Sequence, residues 1–222
     1  GIYKDYKRRI QKERSNLLMK NNFLYTLFTI PVMRINNFHS ISKKEKSFLN
    51  QLDRHINTGY NFTSVNSYIL SDKIFSKLAK KINTYVNHYA FDILKFKKTV
   101  KFYITQSWAN FTPRDTHHHL HNHGNSLFSG VYYLTDDPEP IQFFRSQPLF
   151  NSFMPQVEKY TILNCDSYTI PPKKGDFLLF PSGLSHKVEK NSRDEERMSI
   201  SFNVFFKGTI GDKKQKTELI LK

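Results

Sequence analysis

The spacing of apolar side chains changes once along the chain, from a helical period to a strand period. Tyr3, Tyr6, Ile10, Leu17 and Leu18 lie loosely along one helical face among dense charges, which predicts a peripheral helix or arm over residues 1–22. Phe23 to Met33 is the most apolar early run. It is short and broken by Thr26, Thr29 and Pro31, so it predicts a buried strand and neither a signal-peptide core nor a membrane span. Ser42-Lys43-Lys44-Glu45 has the form of a capping box, with Phe48, Leu49, Leu52 and Ile56 on one face of the helix it opens. A second helix is predicted from Ser71-Asp72. There Ile74, Phe75, Leu78, Ile82, Tyr85, Val86 and Tyr89 keep the 3.6-residue period, and Lys73, Lys77, Lys80 and Lys81 take the solvent side.

From about residue 98 the period is two. Val100, Phe102 and Ile104 alternate with Lys101, Tyr103 and Thr105. Short β-rich runs follow at 127–134, 141–144, 160–163, 168–170, 177–180 and 198–206, separated by turn signals such as Asp136-Asp137-Pro138 and Lys174-Gly175-Asp176. Helices followed by many short strands predict a mainly β fold, a sandwich or jelly roll with the N-terminal helices packed against it. The expected organisation is an arm over 1–22 and one domain over 23–222. That domain has a helical part at about 40–92, a jelly-roll core at about 98–210 and a short basic tail.

Composition agrees with one folded core: 38% of the 222 residues are hydrophobic and 15% aromatic. Cys165 is the only cysteine, so no intramolecular disulfide forms, and a cytoplasmic setting, without a membrane, is the default. The net charge is +15; residues 1–20 carry seven Lys/Arg against Asp5 and Glu13, and residues 207–222 carry five Lys against Asp212 and Glu218. Such an excess attracts nucleic acid and other polyanions. The joint abundance of Lys, Asn, Ile and Phe also reads as AT-rich codon usage, and that is the stronger explanation.

Candidate chemistry enters with the histidines. Five of the nine lie in His117-His118-His119-Leu120-His121-Asn122-His123. On a regular strand positions 117, 119, 121 and 123 share one side, neighbours ~7 Å apart, and two such imidazoles reach one ion. Alone, this run reads equally as an unspecific metal trap, a tag-like segment or a solvated loop. His186 changes the balance, because it follows a strand end and turn and can project from a second sheet toward the first. Two histidines on one strand and a distant third make a facial ligand set with an open opposite side, the logic of non-haem Fe(II) oxygenases. Zinc accepts three histidines too, so the ligands alone do not choose the metal. Arg197 does: it shares a strand face with Ser199, Ser201 and Asn203, and its rigid fork suits a carboxylate. Read in isolation, it is a surface arginine paired with Glu195 or Glu196.

These residues resemble those of a known family. The runs His121-Asn122-His123 through Ser129-Gly130-Val131-Tyr132-Tyr133-Leu134, Gly175-Asp176-Phe177-Leu178-Leu179-Phe180-Pro181-Ser182, His186-Lys187-Val188 and Arg197-Met198-Ser199-Ile200-Ser201-Phe202-Asn203 resemble the 2-oxoglutarate/Fe(II)-dependent oxygenases. Within them the likeness is to a branch met in marine bacteria and their tailed phages. Fainter similarity runs upstream through Ser107-Trp108-Ala109-Asn110 to Leu27-Phe28-Thr29-Ile30-Pro31.

The resemblance implies a double-stranded β-helix that uses Fe(II), 2-oxoglutarate and O2, most simply as a hydroxylase. It implies His121, His123 and His186 as metal ligands and Arg197 as the partner of the 2-oxoglutarate carboxylate, assisted by Ser199 and Tyr133. Asn110 and Trp108 border the pocket, where they read equally as core residues or as contacts to cosubstrate or substrate, Asn110 being the cosubstrate-binding candidate of the two, and Tyr132 points outward into packing. His123 stands where most of the superfamily has Asp or Glu, which leaves the site one charge more positive. Asp115 and His119 are the alternative ligands, and His117, His118 and His119 otherwise become entrance or flanking residues. Two rival readings are a three-histidine cupin-like dioxygenase that ignores 2-oxoglutarate and a basic non-enzymatic phage protein with a residual metal site. The substrate is left open among protein, nucleotide or nucleic acid, and small metabolite, as is the oligomeric state.

Overall fold

The computed structural model describes residues 25–136, 139–148 and 155–222, so the predicted arm over 1–22 lies outside the described residues. The chain divides into two compact units, Gly1–Ile30 and Pro31–Lys222. In the first, residues 25–30 form no strand. The strand expected at Phe23 to Met33 is displaced: β1 is Met33–Ile35, past the Pro31 that cannot donate to a ladder.

In the second unit, helix α1 (Lys43–Asn50) starts at the capping box. Ser42 Oγ accepts from the Glu45 N–H, and the Glu45 carboxylate accepts from the Ser42 N–H at 2.7 Å. It ends sooner than the periodicity implied, since Ile56 lies exposed on β2 (Arg54–Ile56), which hairpins with β3 (Phe62–Ser64). Helix α2 (Ser76–Asn87) is preceded by two short turns, the second capped by Asp72, and continues through a π-helical turn to Ile93. Phe75, Leu78, Ile82, Val86 and Tyr89 are buried, as the period requires.

The remaining strands are β4 (Val100–Thr112), β5 (His118–His121), β6 (Phe128–Tyr133), β7 (Ile141–Phe144), β8 (Ser167–Ile170), β9 (Phe177–Pro181), β10 (His186–Val188), β11 (Arg197–Ile210) and β12 (Leu219–Leu221). The run at 160–163 forms a turn, not a strand, with Asn164 Oδ1 accepting from the Thr161 N–H. The strands make an eight-stranded sheet in the order β1-β9-β6-β11-β4-β3-β2, with β12 beside β11, and a four-stranded sheet β5-β10-β7-β8. All pairings between these strands are antiparallel. This is the double-stranded β-helix.

Alternation on the long strands sorts two cores. Ile200, Phe202, Val204, Ala109, Phe111, Phe177 and Tyr132 face the helices; Val131, Tyr133, Leu178 and Phe180 face the small sheet, meeting Ile141 and Phe143. Tyr132 packs outward as expected, its hydroxyl donating to the His39 carbonyl. Gly130 is required by packing, for a Cβ there would sit 2.3 Å from Phe202 Cζ and 2.7 Å from the Leu178 carbonyl. Among the described residues no helix is long and apolar enough to cross a membrane.

Candidate active site

The antiparallel pairing of β10 with β5 sets His186 directly opposite His121, which brings the distant histidine onto the local pair. Their ring centroids are 4.4 Å apart. His123 lies just past β5, fixed by its N–H bond to the Ser182 carbonyl, with its ring 5.0 Å from His121 and 5.3 Å from His186. One ring nitrogen from each of the three lies within 4.8 Å of the others. His121 Nδ1 donates to the His119 carbonyl at 2.8 Å and His186 Nδ1 to the Leu184 carbonyl at 2.9 Å, so both rings present an Nε2 lone pair. Burial, helped by the neighbouring His121, pushes His186 down to about 3 and His123 to about 4, and burial also lowers His121. All three are neutral at pH 7, as metal ligands must be.

Strict alternation is broken on β5. His186 pairs with His121 but Val188 with His118, a bulge that puts one extra residue on β5 and turns His118 inward along with His119. Both line the cavity. His118 Nε2 sits 3.2 Å from Asn61 Nδ2 and 3.3 Å from Thr112 Oγ1, and burial followed by the charge of Arg197 holds it well below 6.5. The sequence period had put His118 on the opposite side. His117 is exposed, bridging to Tyr60. Asp115 is exposed too, at φ 69°, its carboxylate 2.9 Å from Lys190 Nζ, and it stands outside the three-histidine group.

The next row across the sheet is built by register. Ser199 faces Asn110 on β4 and Tyr133 on β6, while Ser201 faces Trp108. Asn110 Nδ2 donates to Ser199 Oγ at 3.1 Å and to Ser201 Oγ at 2.9 Å, and its Oδ1 accepts from Trp108 Nε1 at 3.0 Å. Arg197, at the head of β11, is 4% exposed. Its partner is neither Glu195 nor Glu196: Nη1 donates to Glu139 Oε2 at 2.6 Å and to the Glu189 carbonyl at 3.2 Å, while Glu196 pairs with Arg54. Glu139 was missed because only the fold brings the loop after β6 to the start of β11. Burial raises the Glu139 carboxyl, but bonds from the Ser192 N–H and from Arg197 outweigh it, so the group stays below the usual carboxylate range. Arg197 Nη2 and the Tyr133 hydroxyl are buried without a hydrogen-bond partner among the described residues.

The three histidines, Tyr133, Arg197, Ser199, Asn110 and Trp108 line one cavity of ≈ 320 Å³. Val131, Ile141, Phe180 and Val188 form its apolar wall, with the Phe180 ring 4.9 Å from His186. The residues fit a metal with a dicarboxylate beside it: three neutral imidazoles converge, and two buried donors lack what a carboxylate would give them.

Residues 106–203 match the sequence model of the family described as "Putative 2OG-Fe(II) oxygenase", a segment that contains all the residues just named. No curated protein matches the chain by sequence. Among solved structures it is similar to HygX from Streptomyces hygroscopicus with nickel, 2-oxoglutarate and hygromycin B bound. The TM-score is 0.55 and the identity 13%, over 79% of this chain and 83% of that one. It is similar also to a Pseudomonas putida prolyl-4-hydroxylase, with a TM-score of 0.53 and 13% identity over 80% of this chain and 94% of that one. At such identities the likeness establishes the fold. The fold is thus shared with solved 2OG-Fe(II) oxygenases, and the segment that matches that family's sequence model is the one that carries the converging imidazoles.

Proposed function

We propose that the chain is a hydroxylase in which His121, His123 and His186 hold Fe(II) and Arg197, Tyr133 and Ser199 hold the distal carboxylate of 2-oxoglutarate. The observation that carries this reading is one cavity containing both the three-imidazole cluster and two buried donors, Arg197 Nη2 and the Tyr133 hydroxyl, that have no partner among the described residues. When bound, the metal and cosubstrate supply the oxidation: O2 converts 2-oxoglutarate to succinate and CO2, and one oxygen atom passes to substrate. The chain's own groups bind and orient. The backbone acceptors of His121 and His186 fix the ring tautomers, and Asn110 fixes the Ser199 and Ser201 hydroxyls and the Trp108 indole together. Phe180, Ile141 and Val131 keep water from that side.

The rest of the lining supports a substrate class. His55, Asn57, Thr63, Ser67 and Trp108 border the cavity, and among the described residues no Asp, Glu or Lys does. An ammonium group entering there finds no carboxylate among the described residues, and a phosphate finds only Arg197, already assigned to the cosubstrate, which favours a neutral hydrogen-bonding group seated against the indole face. Aerobic incubation with Fe(II) and 2-oxoglutarate, alone and with hydroxylated or amide compounds, should release succinate that His186→Ala does not. Succinate no higher than in that variant would overturn the reading.

The residue runs further support a place in the branch of marine bacteria and tailed phages, and the lone Cys165 supports a cytoplasmic setting. Flanking genes for tailed-phage structural proteins are the expected context, and a chromosomal biosynthetic cluster would contradict it.

A further inference from the structure

Glu139 lies behind the guanidinium of Arg197. It accepts from Nη1 at 2.6 Å and from the Ser192 N–H at 3.1 Å, with side-chain exposures of 5% for Arg197 and 13% for Glu139. It does not line the cavity, so it acts through Arg197. Three neutral imidazoles bring no negative charge to a divalent metal. The dication and the 2-oxoglutarate dianion cancel each other, which leaves the buried guanidinium to be balanced, and Glu139 is the carboxylate in contact with it. An uncompensated charge in such a place is costly, and a nearby opposite charge changes the affinity for any further ion.

We propose that Glu139 is a positioning and charge-balancing residue for the cosubstrate. It pins Nη1, leaves Nη2 to the ligand carboxylate, and supplies the negative charge that the three-histidine ligand set lacks, thereby setting how tightly 2-oxoglutarate is held. The proposal rests on the assignment of Arg197 to the cosubstrate. It has a sign that a purely structural anchor does not share. Loss of an anchor weakens binding, whereas loss of the balancing charge lets the incoming dianion meet the full field of Arg197.

The test uses Glu139→Gln and Glu139→Asp, each loaded with Zn(II) so that nothing turns over. 2-Oxoglutarate is titrated while the fluorescence of Trp108, the only tryptophan, is followed; its ring lies 5.8 Å from His123. Melting is measured with and without saturating 2-oxoglutarate. Glu139→Gln is expected to bind 2-oxoglutarate at least about fivefold more tightly, to melt lower than wild type without it, and to gain more from it. Glu139→Asp, which keeps the charge, is expected to stay within about twofold of wild type. Unchanged or weaker binding by Glu139→Gln overturns the proposal. So does an equal shift in Glu139→Asp, or a Glu139→Gln chain that fails to fold even with saturating 2-oxoglutarate. A wild-type protein that does not bind 2-oxoglutarate at all overturns the Arg197 assignment instead.

Discussion

Tyr133→Phe separates stability from binding because it should move them in opposite directions. Tyr133 is 4% exposed, and its hydroxyl is buried with no hydrogen-bond partner among the described residues. A buried hydroxyl left unsatisfied costs ~1–3 kcal/mol, so deleting it while keeping the ring should stabilise the ligand-free protein by about 1–2 kcal/mol. At roughly 2–4 °C per kcal/mol for a chain of this size, the melting temperature should rise by about 2–8 °C. The same deletion removes a donor to the 2-oxoglutarate carboxylate. Hydrogen bonds to charged groups contribute ~1.5–3 kcal/mol, so affinity should fall on the order of 10- to 100-fold. The assay pairs thermal melting of the metal-free protein with a Trp108 fluorescence titration of the Zn(II)-loaded one. A variant that melts lower and binds 2-oxoglutarate as wild type does would refute the reasoning, since the hydroxyl would then be satisfied within the protein and idle toward the ligand.

His123→Ala should abolish stoichiometric Zn(II) binding in an equilibrium dialysis assay, whereas Asp115→Asn should leave it unchanged, because Asp115 is exposed and held by Lys190. The metal-free protein should lose stability on acidification. His186 and His123 titrate at about 3 and about 4 when folded against 6.5 ordinarily, so the loss begins as pH falls below ~6.5 and deepens until the folded values are reached. At pH 5 each group costs about 2 kcal/mol, and equal urea midpoints at pH 7 and 5 would contradict the burial of the cluster. Gly130→Ala should lower stability by roughly 1–3 kcal/mol in the same urea assay, since its methyl must displace the Phe202 ring that stacks on Phe177 at 5.7 Å.

The parts of the molecule legible in the sequence are those decided by local chemistry. The capping box at Ser42, the period of α2 and the two-residue alternation of β11 each follow from neighbours within one turn or one pleat, and each appears in the fold. Alternation also sorted Arg197 and Ser199 from Ile200 and Phe202 correctly, because both faces of that strand are covered by different partners. What stayed hidden depends on register between segments distant in sequence. The bulge that turns His118 inward exists only in the pairing of β5 with β10, and the Glu139–Arg197 pair only in the meeting of a loop with a strand start 58 residues later. Ile56 failed for a related reason: after the C-cap at Gln51 the chain enters a hairpin, and the helical period no longer governs it.

Charge is distributed unevenly over the second unit, and this bears on how an anionic partner would be met. Cations on the elements around the cavity are paired with carboxylates: Arg54 with Glu196 at 3.0 Å, Lys187 with Glu189 at 2.6 Å, Lys190 with Asp115 at 2.9 Å, and Arg114 with Asp194. The lysines of α2, together with Lys95, Lys97, Lys98, Lys101 and Lys207, are exposed and have no ion-pair partner among the described residues. Lys101 and Lys207 stand directly opposite each other on β4 and β11, where like charges repel. A charge placed there for folding alone would be expected to alternate in sign. Lys101→Glu should therefore stabilise the fold by about 0.2–1 kcal/mol, since it faces Lys207 with a carboxylate. If this end of the sheet serves a polyanion, the same change should also weaken retention on DNA or RNA and flatten its salt dependence, while succinate formation stays as in wild type. Urea midpoints test the first effect, and retention at two salt concentrations the second. Lower stability in Lys101→Glu would refute the repulsion. Higher stability with unchanged retention would assign the lysine excess to composition.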